Sequence, residues 1–144
     1  MSDYLFTYGT LQPGHAPAEI ARTVARFQLV GEDFVSGTLY DLLDYPAAIL
    51  DSSSQRRIYG TVFRLPDHMS VLPVLDEYEE VDPDVPDKSL FVRLSHPITL
   101  VVGGTLDSWI YVYNRKPGTA RIVRSGRWLD NRHLSIQPAD FSED

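Results

Sequence analysis

The sequence predicts an α+β protein: a small, strongly curved β-sheet or closed barrel with a few short helices packed outside it. Two observations carry this. About six β-prone segments stand against only two short helical stripes, which is not the alternation of a doubly wound α/β chain. Several glycines fall inside the strand-like segments, where they permit tight curvature and close backbone approach. The chain has 144 residues, 43% of them hydrophobic, enough for one compact core. No repeat, low-complexity stretch or linker divides it. One domain over residues 1–144 is expected, with residues 116–144 as a C-terminal tail packing on it.

Residues 4–8 are β-prone and stop at Gly9, so a strand should run into a loop that Pro13-Gly14 extends. Residues 16–26 read as a helix because Ile20, Val24 and Phe27 share one face. Residues 34–42 form a strand in which Gly37 suggests a bulge. Asp44-Tyr45-Pro46 makes a turn into a short apolar strand at 47–50, and residues 52–55 form a polar tip. Another strand spans 58–65 around Gly60. Pro66-Asp67 opens a second helix, with Met69, Leu72, Leu75 and Tyr78 as its apolar stripe and Pro73 limiting its regularity. Residues 81–88 are an acidic, proline-bearing loop. Two long strands, 90–102 and 105–113, meet at Gly103-Gly104, a hairpin turn. The tail from Lys116 reads as loops and one short helix.

Composition excludes several classes of function. Net charge is −7, from 13 basic and 20 acidic residues, which disfavours nucleic acid because phosphate binding needs a concentrated positive surface. No segment approaches the roughly 20 apolar residues needed to cross a bilayer, so no membrane partner is expected. The N-terminus has no basic region ahead of an apolar run and does not read as a signal peptide. Cysteine is absent, which removes thiolate nucleophiles and fits a reducing, cytoplasmic setting. The four histidines are scattered, and the acidic run from Glu77 to Asp87 lacks the spacing of a calcium loop. Neither a metal nor another cofactor is expected.

Two elements combine into possible chemistry. Tyr8-Gly9-Thr10-Leu11 follows the first strand and offers backbone N–H groups at a glycine turn. Glu79 closes Leu75-Asp76-Glu77-Tyr78-Glu79 at the end of the second helix. A turn that holds an anion and a carboxylate that moves a proton suffice for metal-free acyl chemistry. Taken singly, Glu79 reads as a solvated acid beside Glu77 and Glu80, and Gly9 as an ordinary strand-ending turn. Arg93 alone reads as a surface or structural ion pair, and Tyr8 and Tyr113 as core or half-buried packing.

Five short blocks in order change that reading. Tyr-Gly-Thr-Leu at 8–11, Gly-Thr-Leu-Tyr-Asp-Leu at 37–42 with Tyr45-Pro46-Ala47, Tyr-Gly-Thr-Val-Phe at 59–63, and Leu-Asp-Glu-Tyr-Glu at 75–79 resemble the γ-glutamylcyclotransferase-like superfamily, and the first block resembles its γ-glutamylamine cyclotransferase branch. The resemblance spans about residues 4–113. It implies a small mixed β-barrel with flanking helices, and a reaction in which the α-amino group of a γ-glutamyl compound attacks its own γ-carbonyl. The products would be 5-oxoproline and the released amine or amino acid.

Residue by residue, the resemblance places the catalytic glutamate at Glu79 and the substrate-binding loop at Tyr8, Gly9, Thr10 and Leu11. Arg93 and Tyr113 are further candidates for substrate contacts, Arg93 also for ordering Glu79 or bracing the loop. The expected partner is a small γ-glutamyl molecule. The chain departs from the family pattern at Phe91, where Tyr-x-Arg is frequent, and at Glu80, where glycine is frequent. These departures bear on substrate identity. They also keep two alternatives open: a non-catalytic member that binds a γ-glutamyl metabolite or a protein, and cleavage of a larger γ-glutamyl conjugate.

Overall fold

The computed structural model describes residues 3–82, 84–100 and 103–128. Its elements in chain order are β1 (Tyr4–Thr7), α1 (Ala21–Val24), β2 (Gln28–Asp41), β3 (Pro46–Leu50), β4 (Arg57–Arg64), α2 (His68–Tyr78), a 3-10 turn at Pro86–Lys88, β5 (Phe91–Leu100), β6 (Thr105–Tyr113) and β7 (Arg121–Ile122).

Five strands close into a barrel in the order β2-β4-β1-β6-β5, with β5 returning to β2 at Asp33↔Leu100 and Phe34↔Thr99. Every neighbouring pair is antiparallel except β1 and β6, which run parallel with Leu5 opposite Trp109. The barrel is therefore mixed, as the resemblance implied. β2 is 14 residues long, more than the barrel uses. Residues 28–36 pair with β4, and its far end carries β3 and β7.

Side chains alternate across each barrel strand. Phe6, Tyr8, Val35, Ile58, Val62, Ile110 and Val112 gather in one cluster that fills the barrel. Leu5, Phe63 and Tyr111, one position out of phase, join Leu72 and Leu75 of α2 and Ile20, Val24 and Phe27 in a second cluster between barrel and helices. Gly60 makes the closure possible: a Cβ there would lie 2.2 Å from the Thr7 carbonyl oxygen. Gly37 likewise faces the neighbouring strand, where a Cβ would lie 2.4 Å from the Ile49 carbonyl oxygen.

Several expectations need adjustment. The first helix shrinks from 16–26 to Ala21–Val24. Ahead of it, Ile20 and Ala21 bond to carbonyls only three residues back, at Pro17 and Ala18, because Pro17 disfavours a helical conformation at Ala16 and the segment begins as turns. The apolar stripe still docks, with Ile20, Val24 and Phe27 all buried. Gly37 is no bulge; it pairs in register with Leu50, and the register shift lies between Leu29 and Gly31. The strand expected over 90–102 is described as Phe91–Leu100, with 101–102 outside the described residues. In the tail, Val123 and Trp128 are buried in the barrel cluster; the remainder, 129–144, lies outside the described residues. No helix among the described residues is long and apolar enough to cross a membrane.

Candidate active site

α2 delivers Glu79 to its position. Tyr78 is its last residue and Glu79 its C-cap, with the Glu79 N–H donating to the Leu75 carbonyl at 2.8 Å. The chain then reverses. Val81 N–H donates to Asp76 O at 2.8 Å and Glu80 N–H to Glu77 O at 3.2 Å. This pair of bonds is the Schellman closure, whose turning residue adopts a left-handed conformation and is usually glycine. Here it is Glu80, at φ 58°, a conformation that costs a residue with a Cβ about 1 kcal/mol.

The loop after β1 meets this helix end. Tyr8, Gly9, Thr10, Leu11, Glu79 and Glu80 line one cavity of about 240 Å³, whose walls include Tyr45, Tyr78, Phe91 and Tyr111. The loop is held from inside: Gln12 Nε2 donates to the Gly9 carbonyl at 2.8 Å, and the Tyr8 hydroxyl donates to the Tyr111 carbonyl at 2.5 Å. The Thr10 side chain lies near the Tyr78 hydroxyl. Gly9 lies against Pro46, where a Cβ would come within 2.9 Å of the proline ring.

Glu79 is partly buried and lines the cavity. Desolvation, reinforced by the neighbouring charge of Glu80, pushes its carboxyl from the ordinary 4.5 up to about 7. The tyrosines around it register its charge. Tyr8, Tyr45, Tyr78 and Tyr111 are all raised, foremost by burial, and each also by Glu79. A carboxyl that exchanges its proton near neutrality inside a concave site is equipped for general acid–base work.

Arg93 and Tyr113 do not line this cavity. Arg93 on β5 donates from Nε and a terminal nitrogen to the two Asp76 oxygens at 2.7 and 3.0 Å, and its guanidinium lies 4.4 Å above the Trp109 ring. Tyr113 packs behind the wall, its ring 5.6 Å from Phe91, which in turn meets Tyr45 edge-on at 5.7 Å. Phe91 therefore serves as an apolar wall between two tyrosines.

Sequence reasoning missed Asp76 and Tyr111. The Tyr111 hydroxyl donates to Asp76 Oδ1 at 2.7 Å, so Asp76 binds both Arg93 and Tyr111, and Tyr111 in turn receives Tyr8 on its carbonyl. This chain of bonds ties α2, one turn before Glu79, to β5, β6 and the glycine loop. A signal was present: Asp76 stands inside the same block as Glu79. Its partners were hidden because cross-strand pairing sets Arg93 opposite Tyr111, a neighbour relation that strand spacing does not reveal.

The chain has relatives among known proteins. The family model described as gamma-glutamyl cyclotransferase, AIG2-like, matches residues 5–130, and the chain belongs to that family. Solved structures share the fold. YkqA from Bacillus subtilis superposes with a TM-score of 0.69 at 20% identity, covering 94% of this chain and 42% of its own; the present chain thus spans about two fifths of that protein. An AIG2-like protein from Mus musculus gives 0.64 at 16% identity, covering 85% and 86%. The ytfP protein from Escherichia coli gives 0.60 at 24%, covering 90% and 98%. No curated protein matches the sequence.

Proposed function

We propose that this chain is a metal-free cyclotransferase of the cytoplasm that converts a γ-glutamyl amine or peptide into 5-oxoproline and the free amine or amino acid. The observation that carries the reading is that Glu79, with its carboxyl held at about 7, shares one cavity with the Tyr8–Leu11 turn.

In this mechanism the substrate α-carboxylate rests on the backbone N–H groups of the glycine turn. Ionised Glu79 removes a proton from the α-ammonium. The freed amine attacks the γ-carbonyl carbon, forming the ring C–N bond and a tetrahedral oxyanion. Protonated Glu79 then gives its proton to the leaving nitrogen as the original amide C–N bond breaks. The ring nitrogen still carries two hydrogens after the attack, and Glu79 passes the second to the released amine, which departs as an ammonium; atoms and protons then balance without water, and Glu79 ends ionised as it began. Because the nucleophile belongs to the substrate, the protein's tasks are to fold the substrate and move two protons from the α-nitrogen to the leaving amine. Such intramolecular attack reaches effective molarities of about 10⁵–10⁸ M when well oriented.

Arg93 takes part indirectly in this scheme: its pair with Asp76 braces α2 and so aims Glu79. Tyr113 supports the Phe91 wall. An open cavity with Glu79 in its lining favours turnover over a binding-only role, and its modest volume favours a small metabolite over a larger conjugate. The test is 5-oxoproline release from γ-glutamyl amines, γ-glutamyl dipeptides and glutathione, beside Glu79→Gln. Turnover that disappears in the variant is the expected result. Equal turnover in the variant removes Glu79 from the mechanism, and no turnover of any compound by the folded wild-type protein sinks the proposal.

A further inference from the structure

The cavity contains a second carboxylate that the proposed reaction does not use. Glu80 occupies the left-handed turning position after α2, where glycine fits without strain. Its main chain is held on both sides, by its N–H bond to Glu77 and by its carbonyl, which accepts from Leu90 N–H at 3.2 Å. The backbone therefore fixes where the side chain leaves the main chain. Glu80 is exposed and also lines the cavity, which puts it at the mouth.

The rest of the mouth has matching chemistry. Tyr45, 36% exposed, and the partly buried Tyr78 present aromatic rings to the cavity. Asp44 and Glu80 both lie close enough to act electrostatically on Tyr45. No lysine, arginine or histidine is among the described residues that line the cavity. Carboxylates and tyrosine rings around an opening without cations suit an alkylammonium or guanidinium group, and they repel a carboxylate.

Resting on the cyclotransferase reading, we propose that Glu80 is a specificity-determining residue, which selects a leaving amine that bears a second, distal cationic centre and no carboxylate: an alkyl diamine or a guanidinoalkylamine. The glutamyl end lies on the glycine turn and the γ-carbonyl beside Glu79. The leaving chain runs outward past Tyr78 and Tyr45 to the Glu80 carboxylate.

The test compares γ-glutamyl derivatives of butane-1,4-diamine, of butylamine as the neutral counterpart, and of alanine, in the wild-type protein and in Glu80→Gln. Glu80 also helps set the Glu79 carboxyl, so absolute rates change in the variant and the ratio between substrates is the readout. At low salt the wild type should favour the diamine derivative over the butylamine derivative about threefold in kcat/KM, the scale of one exposed charge pair. The alanine derivative should be poorest. In Glu80→Gln the diamine preference should fall to about one. A ratio unaffected by the substitution overturns the proposal.

A second measurement is independent of turnover: binding of free butane-1,4-diamine and butylamine, followed by NMR at the tyrosine rings. Tighter binding of the diamine that disappears in Glu80→Gln supports the assignment. Equal binding of the two amines by the wild type overturns it. Diamine preference without 5-oxoproline from any derivative would sink the cyclotransferase reading alone and leave Glu80 as an ammonium-binding residue.

Discussion

Replacing Glu79 by Gln keeps the side chain's shape and removes its charge, so one substitution affects both stability and activity in predictable directions. In the unfolded chain the carboxyl titrates near 4.5; in the folded protein, burial and Glu80 hold it at about 7. Below pH 4 it is protonated in both states, and Gln should be almost neutral. As pH rises from 4.5 to 7 the unfolded chain ionises while the folded protein still holds its proton, and the wild type loses stability relative to the variant. At about 1.4 kcal/mol per pH unit, the full difference approaches about 3 kcal/mol above pH 8. Urea unfolding of both proteins from pH 4 to pH 9 measures it, and Glu79→Gln should be the more stable protein on the alkaline side. Over the same range, 5-oxoproline release by the wild type should rise through about pH 7 as Glu79 ionises, and fall at higher pH as the substrate's own ammonium is lost. The variant should lose at least a hundredfold in kcat. A stability difference that does not vary with pH, or a variant as active as the wild type, would refute the reasoning at its root.

Other substitutions test the surrounding structure. Asp76→Asn removes the charge that Arg93 and Tyr111 share, in a pair whose side chains are 22% and 15% exposed; a loss of about 2 kcal/mol in urea unfolding is expected, with kcat reduced as Glu79 loses its brace. Glu80→Gly should relieve the left-handed strain and raise stability by about 1 kcal/mol, while the pH–rate midpoint moves below 7 as a neighbouring negative charge is removed. Gly9→Ala pushes a methyl into Pro46 at the cavity wall; kcat/KM should drop at least tenfold with a stability change of about 1 kcal/mol, read by steady-state kinetics and thermal melting. Trp128→Ala should cost about 3–5 kcal/mol, because this residue is 2% exposed in the barrel core; a melting temperature equal to wild type would show that the tail is not part of the fold.

Most of the strands, the second helix and the hairpin at Gly103-Gly104 were legible in the sequence because they depend on neighbours a few positions apart; the first half of β2 and the short β7 were not. Periodicity of two or about 3.6, glycine turns and proline stops report local preference directly. Closure was only suggested. The strand glycines pointed to curvature, yet which strands met, and that β1 and β6 run parallel, followed from pairings across most of the chain. The first helix was overread because its apolar stripe survives docking even though the residues after Pro17 form turns and only Ala21–Val24 are helical. The tail gave no periodic signal, yet Trp128 is core, since burial of one large ring needs no repeating pattern.

The site divides in the same way. The sequence by itself determined which groups could do chemistry: the Tyr8–Leu11 turn and Glu79 are short local motifs, and their residue types limit what they can do. Only the tertiary structure decided that they share one cavity, that Arg93 braces Asp76 instead of lining that cavity, and that Tyr111 faces the cavity while Tyr113 does not. It also decided that Glu79 holds its proton to about pH 7. A carboxylate's proton affinity depends on how much water and which charges surround it, and those are brought together only when distant segments pack.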